Sequence, residues 1–180
     1  MKIVLLSGTN RPDSSTRKVV TKIAELYSEV GQPVEILDLA DLPAEIFDPA
    51  SYAKKPASFA RFNEAILTCD GLHVVTPEYN GSLPGVLKYF IDMLQFPESF
   101  ENRPVAFTGL AAGMWGALRP VEQLQLIFGY RNAFVFPRRV FLHGIGKLVS
   151  EAGELTDAVS LDRLRAQAEG FLDFTGRLRV

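Results

Sequence analysis

The chain has 180 residues, of which 47% are hydrophobic, and a formal net charge of −2. This length and composition predict one domain, residues 1–180, with a sizeable hydrophobic core. The small net charge argues against a nucleic-acid-binding protein, and no segment reaches the roughly 18 apolar residues expected of a membrane span. A single cysteine, Cys69, excludes an intrachain disulfide and is typical of a reducing compartment. With no signal-peptide core near the first residue, we expect a cytoplasmic protein.

Short apolar runs alternate with helical stripes along the chain. Residues 3–6 are continuously apolar, as expected of a strand buried on both faces. Between such runs, apolar residues recur at helical spacing and predict connecting helices, while residues 39–57 hold several prolines and are predicted to be irregular. The predicted strands are 3–6, 34–37, 71–76, 104–108 and 133–136, and the predicted helices lie at about 15–30, 59–69, 84–96, 121–128 and 161–176.

Five alternations of strand and helix indicate an α/β protein with helices on both faces of a parallel sheet, a three-layer sandwich. Right-handed crossovers leave few topologies, and five strands favour the flavodoxin-like order 2-1-3-4-5. Ligands of such sheets bind outside the carboxyl ends of the strands, at the switch point between the first and third strands. The loops after strands one, three and four are therefore predicted to form the functional site.

The loop after the first strand, residues 7–16, combines several hydroxyl groups with an arginine at a helix N-terminus. Free backbone N–H groups and the helix dipole favour an anion there, and the guanidinium of Arg11 suits phosphate oxygens. Helix capping alone would account for one hydroxyl. The patterns G-x-G-x-x-G and G-x-x-x-x-G-K-[ST] are absent, which argues against dinucleotide and nucleoside triphosphate sites. The loop favours the phosphomonoester of FMN, bound by Thr9, Arg11, Ser14, Ser15 and Thr16.

The loop after the third strand, residues 76–85, has two prolines and two glycines that restrict its backbone path. Tyr79 offers an aromatic face, and backbone amides of the loop suit the polar edge of an isoalloxazine. The alternative is a proline-rich turn with a surface Tyr79 and a solvated Glu78. The position of the loop at the switch point favours contact with a flavin over this alternative.

The loop after the fourth strand, residues 109–116, contains three glycines, which allow backbone to approach a flat ligand closely. Its two large apolar side chains border the flavin, a neighbouring subunit or the core, and the sequence leaves these alternatives open. These two side chains are Met114 and Trp115.

Taken together, these loops resemble those of the NADPH-dependent FMN reductase family of flavodoxin-like proteins, which includes quinone, azo-dye and chromate reductases. Residues 8–16 look like the phosphate loop of the family, and residues 77–88 look like its signature. The resemblance implies FMN as cofactor, NAD(P)H as electron donor, and ping-pong hydride transfer to a quinone, flavin, azo or nitro compound, or metal oxyanion. It also implies which residues contact the flavin. The isoalloxazine and ribityl chain would be lined by Pro77, Glu78, Tyr79, Asn80 and Gly81, and the pyrimidine side of the ring would be bordered by Ala111, Ala112, Gly113, Met114 and Trp115. No side chain need act as a nucleophile or general base.

Two other functions remain open at this point. The first is an FMN electron carrier, similar to flavodoxin, without substrate turnover of its own. The second is a flavin-free protein with a degenerate site, although Arg11 and the Tyr79-Asn80 pair are both retained.

The predicted helix 84–96 is apolar around most of its circumference, with a narrow polar stripe at Lys88, Asp92 and Gln95. A helix that is apolar nearly all round is buried nearly all round. The outer helix of an α/β sheet leaves one face free, so this helix predicts a homodimer or homotetramer formed through it.

Two histidines and one cysteine show no metal-ligand spacing, and no metal site is predicted. His73 lies within a predicted strand and is expected to be a core residue. His143 follows the fifth strand, and contact between this histidine and a ligand is the less favoured interpretation. Arg138 and Arg139 are expected to be solvated at a strand end, although they also suit the 2′-phosphate of a nicotinamide nucleotide.

Overall fold

The computed structural model describes residues 1–150 and 153–178. Six strands form one sheet in which every pairing is parallel. The order is β2-β1-β3-β4-β5, and β6 also pairs with β4, which confirms the flavodoxin-like α/β prediction. The strands are β1 (Ile3–Ser7), β2 (Glu35–Asp38), β3 (Gly71–Pro77), β4 (Pro104–Ala111), β5 (Phe134–Val135) and β6 (Val140–His143).

The edge of the sheet is one interrupted strand, because β5 pairs with the start of β4 and β6 with its end. Pro137 lies between them, where the ladder with β4 is interrupted. Near this interruption, Nε2 of Gln167 donates to the carbonyl oxygens of Phe107 and Arg138 at 2.8 and 3.0 Å. The sequence prediction of a single strand at 133–136 missed β6 for this reason.

Helices cover both faces of the sheet. They are α1 (Ser15–Glu29), α2 (Ala60–Thr68), α3 (Gly85–Met93), α4 (Leu118–Tyr130), α5 (Ile145–Leu148) and α6 (Ala158–Leu178). In β1, Ile3 and Leu5 point into the core formed with α1 and α6, whereas Val4 and Leu6 point into the core formed with α2, α3 and α4. This double burial explains why the strand is apolar without alternation.

Residues 39–57 form short turns of 3-10 helix that lie against α3. The hydroxyl of Tyr89 donates to the carbonyl oxygen of Ile46 at 2.7 Å, and its ring centroid lies 5.0 Å from that of Phe47 and 5.8 Å from that of Tyr52. Residues 39–57 therefore cover part of the apolar surface of α3. The sequence had predicted that another subunit covers this surface. The helix also ends earlier than predicted, at Met93 instead of residue 96.

His73 is a core residue, as predicted. Its Nδ1 lies 2.9 Å from the hydroxyl of Tyr27 and its Nε2 lies 2.9 Å from Oγ1 of Thr108. The hydroxyl of Thr108 donates in turn to Oε1 of Gln167. Burial lowers the pKa of His73 from 6.5 to about 3 because the charged imidazolium loses its hydration. This hydrogen-bonded chain ties α1 and α6 to the centre of the sheet.

Candidate functional site

Two adjoining cavities lie at the carboxyl edge of the sheet, where the sequence analysis expected a ligand. The first has a volume of about 520 Å³ and is lined by residues 11–16, 77–79 and 110–112 together with Ile145. The second, of about 190 Å³, is lined by Glu78, Asn80, Gly81, residues 111–113 and Trp115. Both share Glu78, Ala111 and Ala112. The first alone is within the size range of small-ligand sites, about 300–1,000 Å³.

Gly8 brings the ends of β1 and β3 into close contact. Its N–H donates to the carbonyl oxygen of Val75 at 2.8 Å, and a Cβ at this position would lie 2.7 Å from that same oxygen. Only glycine leaves room for this approach. The loop after β1 is therefore held directly beside the loop after β3.

The loop after β1 leads into the N-terminus of α1, which has no acidic residue in its first turn. Ser14 caps the helix, because its Oγ accepts from the N–H of Arg17 at 3.2 Å, so capping accounts for this hydroxyl. Within the described part of the chain, Ser15 and Thr16 form no side-chain hydrogen bond and Arg11 forms no ion pair. Arg11, Ser14, Ser15 and Thr16 line the first cavity. The end of this cavity at the N-terminus of α1 therefore suits an anion.

Thr9 has a different position from the other predicted phosphate ligands. It is buried and is absent from the lining of both cavities. Its Oγ1 accepts from the N–H of Arg11 at 3.3 Å and lies 2.9 Å from the hydroxyl of Tyr79. Thr9 therefore joins the loops after β1 and β3, and its hydroxyl does not face either cavity.

The loop after β3 is a tight turn whose geometry explains its Asn-Gly pair. The backbone groups of Tyr79 and Ser82 exchange hydrogen bonds of 2.9 and 3.1 Å, and Asn80 and Gly81 between them have positive φ angles of 53° and 77°. Asparagine and glycine adopt such angles most easily. Gln123 of α4 anchors the turn by accepting from the hydroxyl of Ser82 at 2.7 Å, a contact that the sequence did not indicate.

The loop after β4 begins later than predicted, because the strand continues to Ala111. A Cβ on Gly109 would lie 2.7 Å from the carbonyl oxygen of Gly116, and Gly116 has a φ of 54°. These two glycines therefore allow the loop to fold back onto the sheet, which corrects the expectation that they approach a ligand. Gly113 alone of the three lines the second cavity.

Met114 and Trp115 are both largely exposed, which excludes the core position left open for them. Trp115 lines the second cavity, and Met114 lines neither cavity. The guanidinium of Arg119 lies 5.7 Å from the centre of the Trp115 ring. This cation–π contact orients the tryptophan at the mouth of the second cavity.

Glu78 lies where the two cavities meet. Its Oε1 is 3.4 Å from Nη1 of Arg119, and its Oε2 is buried without a hydrogen-bond partner. A flavin offers donors to such an acceptor, from its ribityl hydroxyls and ring N–H. With an anion-binding helix end in the first cavity and an aromatic wall in the second, the residues present fit FMN.

The sequence did not indicate two residues that line the first cavity, Leu110 and Ile145, or Arg119, which contacts the lining residues Glu78 and Trp115. Ile145 belongs to α5, which directly follows the unpredicted strand β6. Leu110 was assigned to a loop but lies in β4. Arg119 belongs to no recognisable motif. The only signal in the sequence was its position, about one helical turn after the glycine-rich loop 109–116.

A model of the family described as NADPH-dependent FMN reductase matches residues 1–147. The chain belongs to the NADPH-dependent FMN reductase family. Membership makes it an oxidoreductase with FMN as cofactor and NAD(P)H as electron donor, which confirms the resemblance noted in the loops.

Relatives of this family match the whole chain. A quinone reductase of Escherichia coli K12 is 30% identical, over 100% of this chain and 98% of its own length. An NAD(P)H-dependent FMN reductase of Pseudomonas aeruginosa is 27% identical, over 99% of this chain and 97% of its own length. The structure of FerB, a flavoenzyme NAD(P)H:(acceptor) oxidoreductase from Paracoccus denitrificans, superposes with a TM-score of 0.82 at 23% identity and covers 98% and 97% of the two chains. This superposition supports the assigned fold.

Residues 1–150 and 153–178 contain neither a candidate membrane span nor a candidate metal site. None of the helices there has both the length and the apolar character required to cross a membrane. In the same residues, no three His, Cys, Asp or Glu side chains are grouped so as to hold a metal ion.

Proposed function

We propose that the protein transfers electrons from NAD(P)H through FMN to a small acceptor, and that FMN spans the two cavities. One observation carries the proposal: an anion-binding helix end and an aromatic-walled cleft adjoin through Glu78, Ala111 and Ala112. Quinones are the first acceptors to test, since similar proteins are named quinone reductases. Free flavins, azo or nitro compounds and metal oxyanions are the other candidate classes.

The phosphate of FMN would lie at the N-terminus of α1, near Arg11, Ser15 and Thr16, with Ser14 and Thr9 holding the loop in shape. The ring would lie between the turn of residues 77–81 and the segment 111–115. Backbone groups dominate the wall at residues 111–113, because Ala111, Ala112 and Gly113 have little or no side chain. Such walls allow close contact with a flat ring.

The chemistry that FMN supplies when bound is two-electron transfer between NAD(P)H and an acceptor. Side chains then serve to bind and orient, and no nucleophile or general base is required. We propose that donor and acceptor occupy the same cleft beside Trp115 in turn, because its mouth is open to solvent at this exposed side chain. Alternate occupation predicts ping-pong kinetics.

Steady-state oxidation of NADPH and of NADH by FMN-loaded protein, with and without benzoquinone, tests this function. We expect acceptor-dependent oxidation with parallel lines in double-reciprocal plots. A protein that binds FMN but oxidises neither nucleotide with any acceptor class would instead be an electron carrier, the alternative function.

We also propose that the protein is a homodimer or homotetramer through the surface of α3 and α4. Three exposed apolar side chains, Phe96, Leu126 and Tyr130, line a cleft of about 590 Å³ between these helices. Exposed apolar side chains grouped in one cleft are typical of an interface. This cleft supports the proposed oligomer. The apolar circumference of α3 does not, because residues 39–57 partly cover it.

A cytoplasmic location is proposed as well. Cys69 is buried, and burial raises the pKa of its thiol to about 11, so it remains a protonated thiol at neutral pH. A single unreactive thiol is consistent with a reducing compartment. Fractionation of cells that express the protein tests the location.

A further inference from the structure

The side chain of Glu78 is largely buried at the junction of the two cavities, and one of its two carboxylate oxygens has no hydrogen-bond partner. Its side chain is only 15% exposed, and Oε2 has no partner. The backbone N–H of Glu78 donates to the carbonyl oxygen of Leu110 at 3.2 Å, which fixes the residue between β3 and β4. A buried carboxylate oxygen without a donor costs free energy, so this group acts on whatever occupies the cavities.

Arg119, the ion-pair partner of this carboxylate, is more exposed to solvent than Glu78. Arg119 contacts Oε1 of Glu78 at 3.4 Å, and its side chain is 52% exposed. Exposure lets solvent screen the guanidinium, whereas the buried carboxylate acts in a medium of lower dielectric constant. The two charges therefore do not cancel inside the cavities.

We propose that Glu78 and Arg119 set the reduction potential of bound FMN in opposite directions, Glu78 lowering it and Arg119 raising it. Hydride transfer from NAD(P)H adds two electrons and one proton to the flavin ring, so the ring gains one negative charge. A fixed carboxylate at the cavity disfavours that gain and a guanidinium favours it. The inference rests on the proposed function, which places FMN in these cavities.

The test compares the wild-type protein with E78Q, R119Q and the double variant. The two-electron potential of bound FMN is titrated against a reference dye, and dissociation constants are measured for oxidised and for reduced FMN. For E78Q, we expect the affinity ratio of reduced to oxidised FMN to rise about tenfold, which equals about 30 mV for a two-electron couple. R119Q shifts the ratio in the opposite direction by a smaller factor, and the ratio of the double variant lies between those of E78Q and the wild type.

A matched control is Glu64→Gln on α2, which makes the same change in net charge at an exposed residue outside both cavities. Its affinity ratio stays at the wild-type value. A variant that loses its fold or the order of its loops would bind oxidised and reduced FMN more weakly by similar factors. It would not produce shifts of the affinity ratio in opposite directions for E78Q and R119Q. Because the side chain of Arg119 is half exposed, R119Q should fold even where E78Q does not. R119Q alone then tests the direction in which the reduction potential shifts.

Two results would overturn the inference. FMN-loaded E78Q and R119Q that keep NADPH turnover but shift the potential in the same direction, or not at all, would overturn it and leave the proposed function intact. A wild-type protein that binds no FMN would overturn both.

Discussion

Oγ1 of Thr9 lies 2.9 Å from the hydroxyl oxygen of Tyr79, across a sequence separation of 70 residues. This hydrogen bond joins the loop after β1, which suits a phosphate, to the loop after β3, which suits a ring. A site held in its binding shape before the ligand arrives loses less entropy on binding. The Thr9–Tyr79 bond therefore links the two halves of the proposed FMN site.

Removal of this bond should weaken FMN binding. Thr9→Val and Tyr79→Phe each delete one hydroxyl, and we expect each to raise the FMN dissociation constant about three- to tenfold, the value of one neutral hydrogen bond. The double variant should bind no more weakly than either single variant, because both remove the same bond. Fully additive losses in a fluorescence titration would show that the two hydroxyls act separately.

Arg11 should discriminate between FMN and riboflavin, which lacks the phosphate. Loss of a charged hydrogen bond costs about 1.5–3 kcal/mol, so Arg11→Met should weaken FMN binding about tenfold to a hundredfold. Riboflavin binding should not change. Equal losses for the two flavins would place the phosphate away from this arginine.

Gly8 should tolerate no side chain. The added Cβ of Gly8→Ala would lie 2.7 Å from the carbonyl oxygen of Val75, and overpacking of this kind costs about 1–3 kcal/mol. Gly129→Ala in α4 is the matched control, because its Cβ has nothing within 4 Å and alanine favours a helix. Urea unfolding should show a lower free energy of unfolding for the first variant and an unchanged or higher one for the second.

His73 should make stability depend on pH in acid. Its pKa is about 3 in the folded chain against 6.5 as the ordinary value, so the unfolded chain binds the extra proton between these limits. The free energy of unfolding is then highest above pH 6.5 and falls by up to about 1.4 kcal/mol per pH unit towards pH 3. His73→Gln should reduce the difference between urea unfolding at pH 7 and at pH 5. An identical difference in both proteins would contradict this assignment.

The cleft between α3 and α4 should mediate self-association. Leu126 is exposed there, and Leu126→Glu would place a charge in an apolar interface at a high desolvation cost. Sedimentation should show a dimer or tetramer for the wild-type protein and a smaller species for the variant. A wild-type protein that is monomeric at micromolar concentration would rule out the proposed interface.

The sequence predicted the parts of this fold that depend on burial and periodicity. The alternation of apolar strands with helical stripes predicted the sheet order, and that order placed three loops at one edge. Pro137 concealed β6, because a strand interrupted by proline and two arginines no longer has a strand pattern. With β6 hidden, the position of Ile145 was hidden too.

The site was predicted in outline, and long-range contacts decided its details. Thr9 has the residue type of a phosphate ligand, but whether its hydroxyl meets a ligand or Tyr79 depends on how closely Gly8 brings β1 to β3. Gly109 and Gly116 likewise lie in a glycine-rich loop, yet they serve its contact with the sheet. Neither distinction is encoded in local spacing.

The most direct test of FMN binding across both cavities is a fluorescence titration with FMN. Trp115 is the only tryptophan of the chain and lines the second cavity, so its emission reports on the position proposed for the ring. We predict that emission is quenched in a saturable manner with one FMN per chain. Emission that is unchanged at a large excess of FMN would contradict the account.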